Sequence, residues 1–403
     1  MLEWIEDGGI ASPAGFSAGG VYTGVKTYGE QPRLDLGLLT SDRPCTAAGV
    51  FTQSTVPGAP VLLSREHLTD GRAQALVVNS GCSNVAMGAR GLRDARTMAS
   101  LAATKCGVDP RDVLVGSTGV IGRPLPMENI EQGIADVAPD REGGAAFARS
   151  IMTTDTVHKQ RAARFEVDGR SYTVGGVAKG SGMVHPDMAT VFCFMTTDAP
   201  VELELLRALL REVADVSINM VDVDMDTSTS DTMLLMANGA AGGTPIAVGS
   251  PAAEALHAAV EAVAIALARE LARDGEGART LIEVEVIGAA DLEDARRAAR
   301  TISSSPLVKT MVTGCDPNLG RVMMALGRSG AKVDVDRTSV FIGSSCAFRS
   351  GVPSDVDYAA LSKEMDAAEV SIRVDLGLGE ARATAWGCDL TEGYVRINAD
   401  YTT

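Results

Sequence analysis

The segment KGSGMVHPDMAT, residues 179–190, holds the residue types of this 403-residue chain that could do chemistry unaided. A Gly-rich turn runs through His185 and Pro186 into Met188, Ala189 and Thr190, where a β-type run begins. A threonine at a chain N-terminus is a self-contained catalyst. Its own α-amine, with a reference pKa of about 7.7–8.0, takes the proton from its hydroxyl at neutral pH. Such a terminus forms inside a chain when the Thr190 hydroxyl attacks the Ala189 carbonyl, giving an ester by N-to-O acyl shift that water then hydrolyses. Neither step needs a histidine. The same residues also read as a Gly-rich turn before an ordinary strand-start threonine.

Other chemistry has less support. The chain has no GxGxxG, GxxxxGK[ST] or HExxH. None of the four histidines, His67, His158, His185 and His257, lies in a recognisable nucleophile context, so each reads as structural or surface. Asp222, Asp224 and Asp226 alternate as at the start of a calcium loop, but Thr227 and Met233 stand where that loop needs Gly and Glu. On a strand the three carboxylates would share a face and bond backbone or hydroxyl groups of the following DTSTSDT. No metal is expected. The 7 cysteines are odd in number and form no CxxC, which predicts buried free thiols.

The elements that must position Thr190 follow from pattern. Residues 74–81 and 112–119 are short β-type runs ending in Gly with Ser or Thr. Between them a helical pattern over 89–106 closes at Gly107, predicting a βαβ-like unit. Residues 165–177 read as a hairpin around Asp168 and Gly169, the Gly-rich loop follows, and 190–195 is a strand. Helices are expected over 201–216 and the Ala-rich 251–273, then an alternating strand over 280–287. A helix over 318–327 and a terminal β-meander of 370–376, 381–386 and 394–399 complete the pattern.

A net charge of -16 argues against a nucleic-acid or anionic-membrane partner, which needs a basic face. The N-terminus MLEWIEDGG is acidic, and no apolar stretch is read as approaching the roughly 18 residues of a spanning helix, so a soluble cytoplasmic protein is expected. With 45% hydrophobic but only 4% aromatic residues, the interior must be built from Ala, Val, Leu, Ile and Met.

KGSGMVHPDMAT resembles the cleavage motif of the glutamate N-acetyltransferase/ornithine acetyltransferase family of arginine biosynthesis. STGVIGRPLPM (117–127), MTTDT (152–156), DTSTSDT (226–232), CDPNLGR (315–321) and the terminal INADYTT resemble further family segments in the family's order. NSGCSNV (79–85) departs from an NSGNAN-like segment, and Leu319 stands where a tryptophan is common. The resemblance implies an α fragment, 1–189, and a β fragment, 190–403, intertwined as one catalytic unit. It further implies an α/β fold of layered sheets and helices. That fold is DmpA-like, of N-terminal-nucleophile type but topologically distinct, and assembles as a dimer of αβ heterodimers.

By the same resemblance, Thr118 and Gly119 would form an oxyanion hole from a hydroxyl and a backbone N–H. Thr153, or its neighbour Thr154, would bind substrate together with Lys179, which meets the amino-acid carboxylate. Glu276 would face the side-chain ammonium, and Asn398 with Thr403 would close the site. The implied reaction is ping-pong transfer of an acetyl group from N2-acetyl-L-ornithine to L-glutamate through acetyl-Thr190. No cofactor is implied, and acetyl-CoA enters only as a donor that some relatives accept. Two other readings stay open: a paralogue of secondary metabolism acting on a modified amino acid, and an N-terminal-nucleophile amidase or aminopeptidase.

Denaturing electrophoresis with intact mass is expected to show two fragments meeting at Ala189 and Thr190, and Thr190→Ala to give one full-length chain. A single chain from active wild-type protein contradicts self-cleavage.

Overall fold

Strands Phe192–Thr197 and Thr232–Ala237 pair in parallel, Thr232 opposite Phe192, and every residue in both is buried. Their side chains alternate between two cores, as the two-residue period of a strand requires. Cys193, Met195, Met233 and Leu235 enter one core; Phe192, Phe194, Leu234 and Met236 enter the other. An unbroken apolar run is what a strand covered on both faces needs. In a computed structural model describing residues 2–26, 32–185 and 191–400, these strands sit near the middle of a nine-stranded sheet.

Across that sheet the order is Leu2–Trp4, Lys159–Val167, Arg170–Lys179, Phe192–Thr197, Thr232–Ala237, Leu36–Phe51, Arg72–Cys82 and Val113–Val120. Phe16–Val21 also pairs with Leu36–Phe51. Strands that follow residue 190 are thus flanked on both sides by strands that precede it. A second, seven-stranded sheet has the order Val352–Pro353, Ser345–Arg349, Ser339–Ile342, Glu369–Asp375, Leu281–Ala289, Ala381–Cys388 and Val221–Asp222. Helix Pro251–Arg273 packs between the two sheets, touching Lys159–Val167 and Arg170–Lys179 on one side and Ala381–Cys388 on the other. The architecture is mixed α/β with layered sheets.

That helix also corrects an expectation. Its mean hydropathy of 1.4 over 18 residues makes it long and apolar enough by composition to cross a membrane. Here Leu256, Val260, Val263, Leu267 and Leu271 are each 0% exposed in the inter-sheet core. Ser250 caps it by accepting from the Ala253 N–H, and Pro251 opens it, where a missing N–H costs nothing.

The βαβ unit is present: Arg72–Cys82 and Val113–Val120 are parallel, joined through helix Gly88–Cys106 with Gly107 left-handed at φ 70°. The hairpin Lys159–Val167/Arg170–Lys179 turns at Asp168 and Gly169. The expected strand over 394–399 is instead helix Glu392–Asp400. Its alternating Val395 and Ile397 are exposed, so the apolar alternation there marks no buried strand face. The cysteines are free, but only Cys45, Cys82, Cys193 and Cys388 are buried; Cys106, Cys315 and Cys346 are half-buried.

Candidate active site

Thr118, Gly119, Thr153, Thr154, Lys179, Glu276 and Asn398 line one pocket. They arrive from the end of strand Val113–Val120, the loop before Lys159, the end of strand Arg170–Lys179, the turn after helix Pro251–Arg273, and helix Glu392–Asp400. Ala189, Thr190 and Thr403 lie outside the described residues. The next residue, Val191, accepts at its carbonyl from the Thr232 N–H at 3.0 Å, and Asp231 lines the same pocket.

Gly119 pairs with Gly81 across the two parallel strands and has φ 121°, a region that disfavours any side chain. A Cβ there would lie 2.4 Å from the Gly81 carbonyl carbon, so the backbone reaches this position only as glycine. The neighbouring turn is braced by Asn79, which accepts from the Ser117 hydroxyl at 2.6 Å and donates to the Cys82 carbonyl at 2.8 Å. Thr118, 6% exposed, lines the pocket wall.

Behind the pocket lies an ionic centre absent from the sequence reading. Lys159, 1% exposed, donates to Asp155 at 2.7 Å and to Asp274 at 2.6 Å. Asp155 also accepts from the N–H groups of Thr153 at 3.0 Å and Gly180 at 2.8 Å. Asp274 accepts from the Thr156 N–H at 3.1 Å and from the Thr156 hydroxyl. Burial pushes the Asp155 carboxyl up, but Lys159 and Lys179 outweigh it and hold the group down at about 2.

The Lys179 ammonium lies 5.4 Å over the Phe192 ring. Burial lowers its pKa, against the pull of Asp155 and Asp231. Asp231 is 2% exposed, its Oδ2 has no hydrogen-bond partner among the described residues, and burial pushes its carboxyl well up. Glu276, 8% exposed, accepts from the Asn398 amide at 2.6 Å, and its carboxylate occupies the space a side chain on Gly182 would need. The Thr154 hydroxyl is bonded to that of Ser181 at 2.7 Å, whereas among the described residues the Thr153 hydroxyl has no protein partner.

The three alternating aspartates behave only partly as expected. Only Asp222 is on a strand, the two-residue Val221–Asp222. Asp224 accepts from the Asp226 N–H of DTSTSDT at 3.2 Å, as expected, but also from the Met183 and Val184 N–H groups of the Gly-rich loop; Asp222 meets His185, the Met225 N–H and Lys309, and Asp226 is exposed. Among the described residues no group of three or more His, Cys, Asp or Glu could hold a metal.

Residues 17–403 match the family model described as the ArgJ family. The chain belongs to the ArgJ family. Arginine biosynthesis bifunctional protein ArgJ of Symbiobacterium thermophilum is similar, 50% identical over 404 residues and covering 100% of both chains. Its namesake in Dehalococcoides mccartyi is 46% identical, covering 100% of this chain and 99% of the relative. A solved ArgJ from Bacillus halodurans is 44% identical, aligned over 47% of this chain and 98% of that one at a TM-score of 0.45.

In this ArgJ-family chain the buried Asp155 makes a stability test. Asp155→Asn is expected to lose about 3 kcal/mol at pH 7, because a buried charge is left short of a partner. The folded-state pKa is depressed, so the wild-type advantage is full above the ordinary carboxyl value of 3.8 and vanishes as pH falls through about 2. Chemical denaturation of both proteins across that range checks it. An equal gap at every pH contradicts the assignment.

Proposed function

We propose that this chain is an ornithine acetyltransferase of arginine biosynthesis. It moves the acetyl group of N2-acetyl-L-ornithine to L-glutamate through an acetyl ester on Thr190. The observation that carries this reading is the convergence of Thr118, Gly119, Thr153, Lys179, Glu276 and Asn398, distant in sequence, on one pocket beside Asp231, whose neighbour Thr232 bonds the backbone next to residue 190.

In the first half-reaction the neutral α-amine of Thr190 takes the hydroxyl proton, and the oxygen attacks the acetyl carbonyl. Negative charge grows on the carbonyl oxygen, where the Thr118 hydroxyl and the Gly119 N–H stabilise it; removing one such donor typically costs about 10²–10³ in rate. The C–N bond breaks, and the proton held by the α-amine passes to the leaving ornithine amine. The second half reverses these roles: the glutamate amine attacks the ester and Thr190 recovers its proton.

Lys179 pairs with the α-carboxylate of either substrate. Burial raises the Asp231 carboxyl against the pull of Lys179. Glu276, held by Asn398, faces the ornithine ammonium. Thr153 rather than Thr154 is the free hydroxyl for substrate, because Ser181 already occupies the latter. The chain acts as an α fragment, 1–189, and a β fragment, 190–403, whose strands interleave in one sheet, and it assembles as a dimer of such heterodimers in the cytoplasm.

The test supplies acetylornithine, acetyl-CoA or neither, with glutamate or water as acceptor. Acetylglutamate and ornithine are expected from the first donor, and acetylglutamate from acetyl-CoA marks a second activity. Free acetate as the main product in the presence of glutamate contradicts a transferase.

A further inference from the structure

The loop leading to residue 186 is fastened at every described residue from 183 to 185, and always to the stretch 222–227 or to helix Leu292–Ser303. Asp224 accepts from the Met183 N–H at 2.6 Å and the Val184 N–H at 2.9 Å. Val223 donates its N–H to the Val184 carbonyl at 2.7 Å, and the Thr227 hydroxyl donates to the His185 carbonyl at 2.9 Å. The His185 ring is held on both sides. Its Nδ1–H donates to Asp222 at 2.8 Å, and Arg300 donates to Nε2 at 3.2 Å. A carboxylate only accepts and a guanidinium only donates, so these partners fix one tautomer.

Asp222 is itself immobilised. Lys309, 2% exposed, meets its Oδ2 at 2.9 Å and also donates to the backbone carbonyls of Asp222 at 3.2 Å and Cys388 at 3.0 Å. The stretch that grips His185 continues to Thr232, which bonds Val191. One run of chain, 222–232, therefore holds both arms of the segment that contains the Ala189 to Thr190 bond. Neither His185 nor Thr227 lines the substrate pocket.

We propose that His185, clamped between Asp222 and Arg300, is a positioning residue for self-cleavage and not for acetyl transfer. Fixing the chain at His185 upstream and at Val191 downstream lowers the entropy that attack by the Thr190 hydroxyl on the Ala189 carbonyl must lose. The hydroxyl oxygen forms the new C–O bond, the Ala189 C–N bond breaks, and the proton moves to the freed Thr190 amine. Water then hydrolyses the ester. Once the bond is cut, His185 is no longer joined covalently to Thr190, so its clamp is not expected to act on acetyl transfer. The inference rests on the proposed cleavage between Ala189 and Thr190.

The experiment follows cleavage of freshly made full-length chain by intact mass in wild type, His185→Ala, His185→Asn and Thr227→Val. It also measures kcat and KM per exposed N-terminal threonine. Loss of a hydrogen bond to a charged group is expected to slow cutting by His185→Ala about tenfold or more. His185→Asn, which can still donate to Asp222, is expected to fall between it and wild type. Thr227→Val, on an exposed side chain, loosens the same residue at its backbone carbonyl and tests its anchoring where His185→Ala fails to fold. Cut molecules of each variant are expected to keep kcat and KM within about twofold of wild type. Wild-type cutting rates in His185→Ala or, if that fails to fold, in Thr227→Val overturn the inference, as does a fall in kcat parallel to the fall in cutting. An uncut, active wild type overturns instead the cleavage on which it rests.

Discussion

Lys159 is an ammonium with 1% exposure, and it persists there because Asp155 and Asp274 meet it at 2.7 and 2.6 Å. Removing either carboxylate leaves a charge in a low-dielectric interior, a loss far larger than that of a surface pair. The three charged groups come from two parts of the chain, 155–159 and 274, and both carboxylates sit next to a wall of the pocket. Thr153 is two residues before Asp155, Glu276 is two after Asp274, and the Gly180 N–H that Asp155 accepts is the peptide following Lys179. The placement of the pocket walls is therefore set from behind, by an ion-pair centre that does not itself line the pocket.

The same burial decides the charge inside the pocket. Asp224, Asp226, Asp231 and Glu276 surround a single described lysine, Lys179. Burial raises the Asp231 carboxyl, whereas at Asp155 Lys159 and Lys179 outweigh burial and hold the group down at about 2; in the proposed reading Lys179 meets a carboxylate and Glu276 an ammonium. An amino acid with a cationic side chain fits this arrangement at both ends. The backbone of Gly119, proposed as one oxyanion donor, keeps its place because Gly119 and Gly81 approach too closely for any other residue.

Much of the fold was legible because its signals are local. Ser250, Pro251 and the Asp274–Gly275 turn bracket the helix Pro251–Arg273, and Gly107 closes Gly88–Cys106. The C-terminal helix was read as a strand because Val395 and Ile397 alternate with polar residues. Its position is decided by tertiary bonds, from Asn398 to Glu276 and from Tyr394 to Asp224 at 3.3 Å, that no local pattern encodes. The pocket residues were legible only through motif resemblance. Lys159 and Asp274, 115 residues apart, gave no sign of each other, since a buried ion pair is visible in sequence only as two ordinary charges. The spacing of Asp222, Asp224 and Asp226 predicts only part of their bonding: Asp224 does accept from the Asp226 N–H, but the two-residue strand ends before the alternation can place all three on one face.

Acetyl transfer in the proposed reaction depends on Thr190 carrying the acetyl group between the two substrates. The direct measurement mixes the cut enzyme with acetylornithine without glutamate, quenches in acid, and weighs the fragments. The mass of one acetyl group is expected on the fragment beginning at Thr190, mapped to that threonine and lost when glutamate is added before the quench. Turnover with no acetyl-enzyme, or with the acetyl group on another residue, contradicts it.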